Sequence, residues 1–309
     1  EYFHSELEKI SEKTLSVTEQ VYLEQSYMWY YYILLDYSRC HTHAARWVQL
    51  FDDNAQMKLD DPVLYMRGLS YELTTLYSMR RYRQYLKTLA KFEEFGEANE
   101  KRFTTTQRII HFLYLTTARI NRHFMEGSFN EGIALVPGVE RRIRRYSEHM
   151  DIHRIMVFNY KIAWLFFGAG DHARSIDYLN EIIRLRAGHL REDIQCYARL
   201  LHMIAHYELG HHDLLKYQIK SVSRFFEKMQ DLNQVQSAIL DFFRKEIATS
   251  DGNGADLRTL RERVEKLSSD PYERRAFQHL DILSWIDSKI SGKPLAEVIR
   301  KRFRKIRRD

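Results

Sequence analysis

Apolar residues recur along this chain with a helical period, and the recurrences come in pairs separated by short breaks. In YKIAWLFFGAGDHARSIDYLNEIIRL, residues 160–185, Ile162, Ala163 and Phe166 share one helical face, Gly170-Asp171 interrupts it, and Ser175, Leu179 and Ile182 resume it. Apolar positions three and four apart mark an amphipathic helix. Gly suits a left-handed helix end and Asp starts the next helix well. The stretch therefore predicts a helical hairpin, with Ala163 and Ser175 small because the two helices cross closely there.

The pattern repeats. Residues 199–226 break at Gly210 and continue with Leu215, Ile219 and Val222, residues 115–136 break at Gly127, and fainter copies span 69–92 and 28–51. Turns near 39, 80, 127, 170 and 210 give steps of 41, 47, 43 and 40 residues. Self-similarity at this period signals stacked hairpins, each too small to bury its own face. Boundary signals agree. Ser16-x-x-Glu19 and Thr104-x-x-Gln107 read as capping boxes, Asp61-Pro62 and Asp270-Pro271 as an N-cap with Pro at the first helical position, and Glu273 completes a further box. Val136-Pro137-Gly138 predicts a break in the helix after Gly127. SDGNG at 250–254 is the clearest loop, two helices should follow it, and Gly292-Lys293-Pro294 opens a short last helix. No stretch reads as a strand. The expectation is one continuous all-α domain over residues 1–309, of about six or seven hairpins, with 294–309 as a basic capping helix.

Charge alters little. The net charge is +6, but EVIRKRFRKIRRD at 297–309 carries +5 of it, which leaves a nearly neutral body. The apolar run at 26–37 is too short to cross a bilayer. Cys40 and Cys196 form no framework, which fits a reducing, cytoplasmic setting. The chain opens at Glu1, so a fragment or processed chain is expected.

With a small residue at Ala163, a large one at Phe166, Gly170-Asp171 at the turn and a small Ser175, residues 156–189 resemble a tetratricopeptide (TPR) repeat. The neighbouring copies match less well: Met203 and Leu215, and Ile120 and Gly132, stand where small residues are expected. The resemblance implies a right-handed superhelix that works by binding other proteins, with first-helix positions lining a concave groove. Carried onto this chain, those positions are Trp29, Ile33, Asp36 and Tyr37, then Arg67, Ser70, Thr74 and Tyr77, then Tyr114, Thr117, Asn121 and Phe124. The fourth hairpin adds Tyr160, Trp164 and Phe167, and the fifth Tyr197, Leu200, Ile204, Tyr207 and Glu208. Aromatics in a concavity can anchor a peptide or helix, and they can equally be packed core. A carboxylate clamp needs several cations on adjacent repeats, and only Arg67 and Asn121 match in kind.

Catalytic signals are lacking. His149/His153 and His202/His206 have zinc-compatible helical spacing but no Glu between them. Gly168-Ala-Gly170 and Gly252-Asn-Gly254 lack GK[ST]. Asp52-Asp53, Asp60-Asp61, Glu93-Glu94 and Glu192-Asp193 read as helix ends and solvated faces, and Arg141 to Arg145 as a basic helix end. The expectation is a non-enzymatic scaffold or adaptor without metal, cofactor or membrane, whose partner is another protein or peptide. A sensor that changes curvature on binding a ligand ranks second, and nucleic-acid association through the basic tail third.

Overall fold

The structure, a computed structural model, describes residues 5–7, 9–185, 190–229, 233–248, 256–270, 273 and 275–306. The expected loop at 250–254 and the last three residues lie outside that set. Every regular element among the described residues is helical. One continuous domain is the sequence expectation; the packing groups the chain into two units, Glu1–Met125 with Lys305–Asp309, and Glu126–Arg304.

The first unit comprises α1 (Val17–Ile33), α2 (Tyr37–Asp53), α3 (Ala55–Asp60), α4 (Pro62–Ser78), α5 (Tyr82–Asn99) and α6 (Thr105–Glu126). Helix α1 packs on α2, α2 on α4, and α4 on α5. Trp47, Phe51, Tyr65, Tyr85 and Phe92 form the buried centre. Both tyrosine hydroxyls are satisfied: that of Tyr85 donates to the Ala118 carbonyl at 2.6 Å, and that of Tyr65 to Asp52 at 3.0 Å, whereas the buried Trp47 indole N–H has no hydrogen-bond acceptor among the described residues. Asp52 also binds Lys58 and Lys91, each at 2.6 Å, so it joins helices as well as ending one.

The second unit runs α7 (Phe129–Ile133), α8 (Val136–Arg145), α9 (Ile152–Gly168), α10 (His172–Arg184), α11 (Glu192–Glu208), α12 (His212–Met229), α13 (Gln234–Ala248), α14 (Leu257–Ser268), α15 (Ala276–His279), α16 (Ile282–Ser291) and α17 (Leu295–Ile306). From α9 to α14 each helix packs on the next, α14 packs on α16, and α9 also touches α11. Ala163 and Ser175 are fully buried where α9 and α10 cross, as their size predicts.

The turns share one geometry. Gly127, Gly170, Gly210 and Gly292 have positive φ, and so do Leu35 and Arg80, where no glycine marks the place. After five of these six residues the next amide bonds the carbonyl five residues back: Asp36 to Tyr31, Arg81 to Leu76, Asp171 to Phe166, His211 to His206 and Lys293 to Ser288. This left-handed cap satisfies carbonyls that a helix end leaves open. The first turn therefore lies at Leu35. Position 39 is inside α2, whose N-cap is Asp36.

The capping boxes at Ser16/Glu19 and Thr104/Gln107 form, and Asp61 caps α4 with Pro62 at its first position. Val136-Pro137-Gly138 does divide α7 from α8. Glu273 departs from expectation. Its buried carboxylate accepts from the Gln234 and Val235 amides at 3.1 and 3.2 Å, so it caps α13 from far along the chain instead of completing a local box. Close packing also dictates Gly168: a Cβ there would lie 2.4 Å from the Phe129 ring. The basic helix α17 docks through buried Leu295 and Ile299, and Arg302 binds Ser284 and Asp287 at 2.6 and 2.5 Å.

Candidate functional site

The first-helix positions differ between the two units in how far they are covered. In the first unit Trp29 stands 41% exposed on α1, edge-on to Tyr71 at 5.2 Å and to Tyr32 at 6.0 Å. Tyr32 also meets Tyr37 at 6.4 Å. Ile33 and Leu34 are exposed beside Trp29. Burial raises the Tyr71 hydroxyl pKa, with Tyr114 and Tyr32 adding to it and Arg67 opposing. Trp29 packs on Tyr71 and Arg67 and Tyr114 act on it electrostatically, while Tyr37 joins the group through Tyr32; sequence reasoning missed Tyr71 by one position in favour of Ser70. Tyr77 is half-buried, with the Arg80 guanidinium 5.5 Å from its ring centroid. Ser70, Thr74 and Thr117 are half-buried, while Asn121 and Phe124 are buried.

In the second unit the corresponding positions are covered by the chain itself. Tyr160, Trp164, Phe167, Tyr197, Leu200 and Ile204 are all buried. The Tyr160 hydroxyl donates to the His279 carbonyl at 2.8 Å, and Tyr197 stacks on the His279 ring at 4.9 Å. One helix on, Trp285 of α16 enters a cluster of Tyr207, Phe242 and Phe243, all within 6.5 Å. Its indole N–H donates to Glu208 at 2.6 Å, and Lys289 binds the other carboxylate oxygen at 3.0 Å. The Tyr207 hydroxyl donates to Glu246 at 3.3 Å. Residues 276–292 therefore lie along α9, α11 and α13 as a helical ligand would, with His279 at the N-terminal half of α9 and Lys289 by its C-terminal end. The Trp164 ring stacks flat on Phe167 at 5.3 Å. A cavity of about 490 Å³ remains beyond Lys289, walled by Phe129, Gly168, His172, Glu208 and the first turn of α17.

The histidine pairs take other roles. His149 ends a separate 3₁₀ turn and Asp151 caps α9, so His149 and His153 do not share a helical face. His202 and His206 do, with ring centroids 4.5 Å apart. Burial, then the nearby His206 and Arg199, lower the His202 pKa to about 4. Nδ1 of His206 lies 2.8 Å from Nδ1 of His211. Both cysteines are free and buried, and burial pushes the Cys40 thiol up to about 12. Among the described residues no helix is long and apolar enough to cross a membrane.

Set against known proteins, the chain matches no family model, no curated protein and no solved structure. What stands is the class that the fold defines: an all-helical protein whose helices pack largely on their sequence neighbours.

Proposed function

We propose that this chain is a TPR-like right-handed superhelical solenoid of stacked antiparallel helical hairpins that acts as a non-enzymatic interaction module, binding an amphipathic helix or peptide of another protein across its first-helix face. One observation carries the reading. In the second unit that face holds a helix already, anchored by an aromatic cluster and a carboxylate, whereas in the first unit residues of the same kind stand partly open around Trp29. Helix-in-groove recognition uses apolar anchors at three- and four-residue spacing, and Trp and Tyr supply much of the binding energy at such surfaces. The reading places the protein in the cytoplasm, in keeping with its buried free thiols.

Selection of helical peptides from a displayed library against the whole chain tests it. The selected peptides should share an amphipathic pattern with an aromatic or aliphatic anchor, and Trp29→Ala should weaken them by tenfold or more while leaving the melting temperature within about 2 °C, since Trp29 is partly exposed. Peptides that bind the variant unchanged would remove Trp29 from the site. A second reading, a sensor whose own helix α16 yields to a ligand, is favoured by the polar tether at Glu208. Binding of a peptide matching residues 276–306 to a Trp285→Ala chain, and not to the parent, would support it.

A further inference from the structure

A second surface has chemistry of another kind. Helix α12 buries Leu215, Ile219, Val222 and Phe226. On another side it forms, with Ile183 of α10 and Arg199 of α11, an open groove of about 510 Å³. Lys220, Arg224, Lys228 and Arg199 line it, together with Tyr217, Ser221 and Phe225, and no carboxylate does. Neighbouring Glu227 is outside the lining. None of the four cations is ion-paired among the described residues.

Arg199 is the most telling of them. Its guanidinium carbon lies 3.6 Å from the Phe225 ring centroid, and its one hydrogen bond is to the Gln195 carbonyl at 3.0 Å. A half-buried guanidinium normally finds a carboxylate; this one has an aromatic shelf and the groove. Burial lowers its pKa, the direction expected of a cation short of a counter-charge. Tyr217, which lines the same groove, is 74% exposed.

Spacing narrows the ligand. Lys216, Lys220, Arg224 and Lys228 recur every fourth residue, which on a helix is an advance of about 6 Å per step along one side. Neighbouring phosphates along a nucleic-acid strand are spaced comparably. An acidic helix could match the same charges, but it would make no use of a flat exposed ring. Single-stranded nucleic acid uses both, since a positively charged groove tracks its backbone and aromatic or guanidinium faces stack its bases. We propose that this groove binds a short single-stranded nucleic-acid segment, its phosphates held by Lys220, Arg224 and Lys228 and a base stacked on Tyr217. The site is distinct from the helix-binding face and from the basic C-terminal tail.

Fluorescence anisotropy of the whole chain with labelled twelve-residue oligouridylate and oligothymidylate tests it, with a twelve-residue polyglutamate as the rival anion. The expected result is strand binding whose logarithmic salt slope is about −2, the value for three phosphate contacts on a single strand. Lys220→Glu/Arg224→Glu should weaken it at least tenfold, Tyr217→Ala about fivefold or more, and a chain ending at Phe303 should bind like the parent. Tyr217, Lys220 and Arg224 are all exposed, and circular dichroism checks that each variant is folded. Absence of strand binding at 50 mM salt, polyglutamate binding as tight as the strands, or binding indifferent to the charge reversal would each overturn the proposal.

Discussion

Glu208→Ala should loosen α16 from the second unit. The Glu208 carboxylate accepts the Trp285 indole N–H at 2.6 Å and pairs with Lys289 at 3.0 Å. Trp285 is 1% exposed, and Glu208 is the acceptor of its indole N–H. A buried donor left without a partner costs about 1–3 kcal/mol. The Lys289 side chain is 31% exposed and retains hydration, so its share is at most about 1 kcal/mol. Together these give about 2–3 kcal/mol, or a fall of about 5–10 °C in melting temperature for a unit of this size. Urea unfolding followed by circular dichroism measures the first quantity, and amide hydrogen exchange of residues 282–291 reports the helix itself. Glu208→Gln keeps an acceptor for the indole and should cost less than the alanine variant. In a cycle with Trp285→Phe, which keeps a ring and removes the donor, the coupling should reach about 1 kcal/mol. A loss below about 0.5 kcal/mol with unchanged exchange in α16 would show that Glu208 is not the tether.

Gly168→Ala should cost about 3 kcal/mol because its Cβ meets the Phe129 ring, whereas Gly170→Ala, with open space around it, should cost only the left-handed backbone strain of about 1–2 kcal/mol; equal losses in urea unfolding would refute the distinction. Burial holds both His279 and His202 at about 4, below the unfolded value near 6.5, with Asp193 opposing and Arg191, Lys161 and Arg275 assisting at His279. The unfolded chain then takes up protons first as pH falls, so their contribution is complete above about 6.5 and is lost between there and about 4. His279→Gln should flatten the dependence of the urea midpoint on pH between 6.5 and 5, and an unaltered slope would exclude His279 as a cause. Truncation before Pro294 removes buried Leu295 and Ile299 and the Arg302 contacts and should lower the melting temperature clearly, while truncation after Phe303 should leave it nearly unchanged.

Helices and turns were legible where their causes are local. Gly127, Gly170 and Gly210 announce left-handed ends, and Ser16, Asp61 and Thr104 announce starts. The turns at Leu35 and Arg80 carry no glycine, since residues that rarely adopt positive φ occupy them; the spacing still located the second near 80, but the first was placed four residues late. Glu273 was misassigned for a related reason: an acid near a helix start suggests a local box, yet its partners lie nearly forty residues earlier. The covering of Tyr160, Tyr197 and Glu208 depends on residues 276–292, and no periodicity in α9 or α11 can reveal what lies across them. The basic groove combines a visible four-residue rhythm in α12 with Arg199 from a different helix. Read alone, that rhythm is a solvated face.

Filling the face of the second unit from within imposes an order on synthesis. All of α9 to α13 has been made once the ribosome passes Ala248, but the helix bearing Trp285 is complete only at Ser291. At about 5–20 residues per second, Glu208 and the aromatic cluster wait about two to nine seconds for their own helix. During that interval each nascent chain presents an open, sticky trough to the surrounding translation products. A chaperone, or a partner helix synthesised close by, would meet the trough before its resident does.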